Sequence, residues 1–184
     1  MAQPSYFKQP FVWQGQQQPV EVPQRLTYRA VNTLAVDDFI SVIAKVRADS
    51  LDRSDQRQAA QQDVLQAAKQ FIADASGNGF SYQERWWQVG VDGNGHIVGF
   101  VLPVIYEGYA KDGLEEATIY YIGVVPEHRR HGYGVDLLLA GTKMLQEVGV
   151  WRIFCDTDVQ NRAMIKAFER AGYKRAGEPY ERPL

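Results

Sequence analysis

Apolar and polar positions along this chain fall into two rhythms, one helical and one β-like, and the change from one to the other can be placed. Residues 26–31 read as a short strand. They lead into a stretch where Val36, Phe39, Ile40, Ile43, Val46 and Leu51 recur at helical spacing, the signature of an amphipathic helix. Asp37 and Asp38 fall in its first turn, where the helix dipole favours acids. Residues 54–75, rich in Gln and Ala, form a second helical segment with Val64, Leu65, Ala68, Phe71 and Ile72 as its expected buried face. Ser76-Gly77-Asn78-Gly79 ends it, because Gly and Asn tolerate left-handed backbone after a helix.

A hairpin follows, with β-rich runs over 86–91 and 96–106 around the turn Asp92-Gly93-Asn94-Gly95. After a polar loop over 107–116, residues 117–125 make a third β-rich run. A helix over 134–148 places Leu138, Leu139, Leu145 and Val148 on one stripe. A strand over 152–157, a helix from near Asn161 and a short strand after Tyr173 complete the chain. The order β-α-α-β-β-β-α-β-α-β predicts an α+β (mixed α/β) fold, a mixed sheet covered by helices.

Residues 1–25 differ in character. They are rich in Gln and Pro, and carry two short apolar patches, Phe11-Val12-Trp13 and Val20-Glu21-Val22, around a Gly/Gln turn. That composition favours weak order, so the expectation is a loose hairpin or arm over 1–25 and a single domain over 26–184.

A length of 184 residues suits one substantial core. The formal charge of −2 argues against general attraction to nucleic acid, so any polyanion must be met by a local cluster such as Arg129, Arg130 and His131. The only cysteine, Cys155, cannot form an intrachain disulfide, and no Cys/His spacing suggests a zinc site; no metal is expected. Cys155 itself reads as buried packing rather than a nucleophile. No apolar run reaches membrane-spanning length and no signal-peptide layout opens the chain, so the expected setting is cytoplasmic, with no membrane partner.

The richest chemistry lies in Gly123-Val124-Val125-Pro126-Glu127-His128-Arg129-Arg130-His131-Gly132-Tyr133-Gly134, which reads as a strand end, a basic turn with two glycines and a helix start. Glycines let backbone N–H groups approach an anion, and the unpaired donors and dipole of a helix N-terminus favour negative charge. The same residues also suit an ordinary strand-to-helix turn. A dinucleotide-binding turn is excluded because position 137 is Leu, and a Walker loop because Gly-Lys-Ser/Thr is absent.

The context narrows the choice. Arg129, Gly132 and Gly134 occupy fixed places of an Arg/Gln-x-x-Gly-x-Gly/Ala motif, Val124-x-Pro126 precedes it, and Asn161-Arg162-Ala163-Met164 leads to Phe168 and Gly172-Tyr173. Over about residues 26–176 the chain resembles the GNAT superfamily of acyl-CoA-dependent N-acyltransferases. The resemblance implies two parallel strands, 117–125 and 152–157, that splay apart at a bulge, with the pantetheine of acetyl-CoA held between them as an added strand. The N–H groups of Arg130, Gly132, Tyr133 and Gly134 would hold the pyrophosphate, His131 would contact phosphate, and Arg129 would support the turn or a phosphate. Backbone groups of Ile122 and Val124 would bond pantetheine, with the Val124 N–H as oxyanion donor. Asn161 would bond the pantetheine amide, or serve as a plain helix N-cap.

Many relatives place a tyrosine acid where this chain has Phe168, which cannot donate a proton and so stands as a cofactor contact or as packing. For the amine proton, strand parity puts Thr118, Tyr120, Ile122 and Val124 on one face, making Tyr120 a candidate to order a water or to shape the acceptor pocket. Glu107, Glu115, Glu116, Asp156 and Asp158 are further acids near the expected site. One of Trp86 and Trp87 is expected in the core and the other toward the acceptor. The implied activity is acetyl transfer from acetyl-CoA to a primary amine of a small molecule or peptide in a ternary complex; the alternative is a non-catalytic acyl-CoA-binding domain. The short C-terminus leaves the last strand missing, short, or supplied by the N-terminal arm or by a partner subunit in a homodimer.

Overall fold

The computed structural model describes residues 5–14, 18–75 and 79–183. In chain order these form β1 (Ser5–Trp13), β2 (Thr27–Ala30), α1 (Val36–Ala48), α2 (Arg53–Gln61), α3 (Val64–Ala75), β3 (Phe80–Ser81), β4 (Gln88–Val91), β5 (Ile97–Tyr106), β6 (Glu115–Val124), α4 (Tyr133–Val148), β7 (Val150–Asp158), α5 (Arg162–Arg170), β8 (Lys174–Arg175) and β9 (Tyr180–Pro183). Among the described residues the strands join in one sheet of order β2-β4-β5-β6-β7-β1-β8, with β3 against β5 and β9 against β1.

Helices cover both faces, and glycines record how closely they approach. On one face a Cβ on Gly123 of β6 would stand 2.1 Å from Val46 of α1. On the other, Gly141 of α4 faces Val101 and Ile119. The central strand β5 is buried along almost its whole length, as expected for an apolar run covered on both faces. The expected stripe of α4 is shifted, for Leu137, Leu138 and Leu145 are fully buried while Leu139 and Val148 lie at its margin.

The expectation for the first 25 residues is overturned where the chain is described. Rather than a loose hairpin, residues 5–13 form a strand paired antiparallel with β7, Lys8 against Asp158 through Trp13 against Ile153. Phe11 is fully buried. The N-terminal segment thus supplies the strand beside β7, one of the alternatives left open by the short C-terminus, and β8 and β9 pair with its other edge. Residues 20–22 form no strand; the Gly/Gln turn falls largely outside the described residues, as do residues 76–78 of the expected helix stop.

The second helical segment is two helices. Asp63 separates them by accepting the N–H groups of Leu65 and Gln66 at 3.1 and 3.0 Å, an N-cap that restarts the helix. Val36, Leu51 and Leu65, expected on buried faces, are exposed, since α1 ends at Ala48 and Leu65 lies on the outer side of α3. Trp86 and Trp87 are both buried, and Trp87 stacks on Tyr82 with ring centroids 4.2 Å apart; neither lines the acceptor side.

Candidate active site

Strands β6 and β7 run parallel but pair only at one end, Glu115 with Val150, Glu116 with Arg152 and Ala117 with Ile153. Beyond these they diverge. The cause lies on the other edge of β6, where Leu102 faces Tyr121 but Pro103 faces Ile119, so Tyr120 is an extra, bulged residue. Pro103 has no N–H to give the ladder, and a proline inside a central strand marks such an irregularity. On the cleft side the Ile119 N–H donates to Cys155 Sγ at 3.5 Å, with the Thr118 hydroxyl 3.7 Å from the same sulfur. The thiol thus occupies the point of divergence. Burial pushes its pKa up to about 12, so it is a protonated packing group.

The bulge revises the expected parity. Thr118 and Tyr120 share the side of α1–α3, as the Tyr120–Phe71 stack at 5.0 Å shows. After it, Tyr121 and Gly123 take that side, shown by Phe71 against Tyr121 and Val46 against Gly123. Ile122 and Val124 therefore turn their side chains to the α4 side, and Val124 Cγ2 lies 3.8 Å from the Cβ position of Gly134. Their main chain matters more. Val125 donates to the Val98 carbonyl at 3.0 Å, making 98/125 a hydrogen-bonded antiparallel pair; by alternation 99/124 and 101/122 are not. The N–H groups of Ile122 and Val124 hence point away from β5, toward the side that β7 has vacated.

The resulting cleft, about 980 Å³, runs along β6 from the aromatic end near Phe71 to the turn that enters α4. In that turn Arg130 and Gly132 have φ of 65° and 81°, and the amides of residues 130–134 donate to no group among the described residues. Arg129 Nε donates to the Val124 carbonyl at 3.2 Å and its Nη1 pairs with Asp49, so this side chain braces the turn. Arg25, which sequence reading passed over, donates to the His131 carbonyl at 2.8 Å and to the buried Asp136 at 2.9 Å. Gly132 needs its left-handed conformation. Gly134 does not, and a Cβ there would meet protein only at ordinary contact distance; what glycine adds is bare backbone at an open helix N-terminus. The His131 ring folds back on its own turn, its Nδ1 3.2 Å from the His128 carbonyl, and stacks on Tyr133.

Other expected residues have structural occupations. Asn161 caps α5 by accepting the Met164 N–H at 3.1 Å. Phe168 is 2 % exposed and stacks on Phe11 of β1, centroids 4.8 Å apart. Glu116 is buried and paired with Arg152 at 2.8 Å. Asp158, fully buried, accepts from Arg53 Nε and Nη2 at 2.7 and 3.0 Å, from the Arg53 backbone N–H at 3.2 Å and from the Gln160 N–H at 2.8 Å, which anchors α2 to the end of β7.

At the wide end of the cleft Tyr120 lies between Phe71 and Phe80, and burial followed by the nearby Asp74 raises its pKa. Such a phenol keeps its proton near neutrality. Tyr121, partly buried, donates to Asp55 at 2.6 Å, and Asp55 also takes Arg47 at 3.1 Å. Asp156 accepts from the Tyr180 hydroxyl and lies 3.6 Å from Lys8 Nζ, which itself bonds Asp52 at 2.6 Å. Lys8 and Tyr180 come from segments whose sequences carry no local signal for a site.

This fold has known counterparts. Residues 49–173 match the Acetyltransferase (GNAT) family. The mycothiol acetyltransferase of Pseudarthrobacter chlorophenolicus is 30% identical over 100 residues, 50% of this chain and 30% of that relative. The N-alpha-acetyltransferase of Sulfurisphaera tokodaii is 26% identical over 99 residues, 50% of this chain and 58% of that relative. The chain thus spans less than two thirds of these relatives. The GCN5-related N-acetyltransferase from Sphaerobacter thermophilus superposes with a TM-score of 0.64 at 16% identity, covering 97% of this chain and 51% of that one.

Proposed function

The chain belongs to the GNAT acetyltransferase family, and from that premise we propose that it transfers an acetyl group from acetyl-CoA to a primary amine of a small molecule or peptide, by direct attack in a ternary complex. The observation that carries this reading is the alignment of the Ile122 and Val124 N–H groups along an unpaired strand edge that leads to the free amides of residues 130–134. An extended amide-bearing arm with a diphosphate at its end matches that spacing of donors.

Acetyl-CoA, when bound, supplies a thioester as the electrophile. The Val124 N–H is the donor for the oxygen of that carbonyl as negative charge develops on it. Arg129 holds the Val124 carbonyl and so fixes the orientation of the neighbouring peptide groups. The amides of Arg130, Gly132, Tyr133 and Gly134 take the diphosphate, with Arg130 and His131 adding charge.

The acceptor enters at the wide end, between Phe71, Phe80 and Tyr120, where Asp74 and Asp156 attract a cationic amine. The relatives' names fit both acceptor classes, a small molecule in mycothiol acetyltransferase and an alpha-amine in N-alpha-acetyltransferase. Tyr120 acts as a wall. With Phe168 unable to donate, the leaving thiolate takes its proton from water, and the amine loses its own to water near Asp156.

The buried Phe168 also favours a second reading, a domain that binds acyl-CoA without turning it over. Thiol release over a panel of amines, run beside calorimetric titration with CoA, separates the two. Binding with amine-dependent release supports the transferase; binding with no release on any amine supports the second reading; no binding overturns both.

A further inference from the structure

Asp92, His96 and His128 bring a carboxylate oxygen and two imidazole nitrogens within 4.8 Å of one another. They come from two segments. Asp92 and His96 lie on the turn between β4 and β5, His128 on the turn leading from β6 toward α4. The Val125 N–H bond to the Val98 carbonyl at 3.0 Å ties those segments together, so their proximity is set by the sheet.

Asp92 is fixed in place. Its Oδ1 accepts the N–H groups of Asn94 and His96, both at 2.9 Å, which leaves Oδ2 3.5 Å from His96 Nδ1. The His96 side chain is 64 % exposed and free to turn, and its ring centroid lies 5.8 Å from that of the half-buried His128. Ligands bonded at about 2.0–2.2 Å to one ion stand roughly 3.4 Å apart in a tetrahedral site, so binding calls for a turn of the exposed His96 ring toward the other two groups. Two nitrogens and one oxygen suit a borderline late first-row ion, zinc above all, whereas calcium and magnesium prefer all-oxygen sets.

We propose that Asp92, His96 and His128 form a zinc-binding site, with water in the remaining position, that clasps the β4–β5 turn to the turn entering residues 129–134. No Cys/His spacing announces it, because the fold alone brings His128 to Asp92 and His96. The proposal stands apart from the acetyl-transfer reading, and its measurements involve no turnover.

Zinc chloride titrated by calorimetry into the chelator-treated, tag-free full chain should show one ion bound per chain. Cobalt in its place should give the intense visible bands of a four-coordinate site. His96→Gln and His128→Gln should each weaken zinc binding by more than the roughly 10- to 100-fold that loss of a supporting partner costs, while His131→Gln binds zinc as the parent does. Zinc should raise the melting midpoint of the parent and leave that of the His96→Gln, His128→Gln double variant where it was. No binding heat and no midpoint change in the parent would overturn the proposal, as would zinc affinity retained in the double variant. The cobalt spectrum of the parent decides the point even if a variant folds poorly.

Discussion

Ile119 gives its backbone N–H to the sulfur of Cys155 at 3.5 Å, at the point where β6 and β7 part. A soft, weak acceptor stands where a parallel ladder would place a carbonyl, so one buried donor is satisfied without the strands being drawn together. Cys155→Val should leave that donor unpaired and cost about 1–3 kcal/mol, read as a lower urea midpoint. The native thiol should resist a thiol reagent until denaturant is added.

The same thiol predicts an alkaline limit. Burial holds its pKa near 12 in the folded state, against an ordinary value near 9. A raised pKa contributes stability that is fully present below the unfolded value and is lost as pH climbs through the folded one. Tyr121 and Tyr173, both raised mainly by desolvation, act in the same direction. Denaturation midpoints should therefore fall between about pH 9 and about pH 12, and Cys155→Ser should make the fall shallower without abolishing it, because the tyrosines persist.

Gly132 and Gly134 should separate fold from ligand. Gly132→Ala places a Cβ at φ 81° and should cost about 1–2 kcal/mol in stability. Gly134→Arg should melt close to the parent yet lose measurable CoA binding, since its side chain fills the open helix end. Paired melting and calorimetric measurements check both.

Tyr120→Phe keeps the wall between Phe71 and Phe80 and should change kcat by no more than about two-fold. A loss of about 100-fold, together with a missing limb in the pH–rate profile, would identify the phenol as a proton carrier after all.

Phe168→Ala should destabilise by about 3–5 kcal/mol, because the ring stacks on Phe11 and touches Tyr173. The loss belongs to the joint between α5 and β1. Equilibrium urea unfolding measures it.

The elements from Gln88 to Val148 were legible in the sequence because their signals are local: a glycine-rich hairpin turn, an apolar run, a basic turn, a helix stripe. The splayed pair was legible through motif and order together. The bulge was written in Pro103, inside the apolar run of β5, yet its effect falls on Tyr120 across the ladder, where parity counting along one strand cannot see it. Asp63, three residues before Gln66, carried the helix restart in plain view. β1 was obscured by its composition: Gln9 and Pro10 suggest a loop until β7 and β9 are there to pair with it. Lys8 and Tyr180 come together only through such pairings, and Arg25 meets His131 and Asp136 only in the folded chain.

The seat of β1 has a temporal consequence. Lys8 finds Asp158 and Ser5 finds Pro183, so β1 stays unpaired during synthesis until β7 and β9, more than a hundred residues later, have emerged. Until then β7 has no neighbour on that flank, and the aromatic face of Phe168 lacks its cover. Holding the residues of β1 away from the rest, by immobilising them or tethering them to a bulky carrier, should slow maturation far more than the same burden placed at a surface loop.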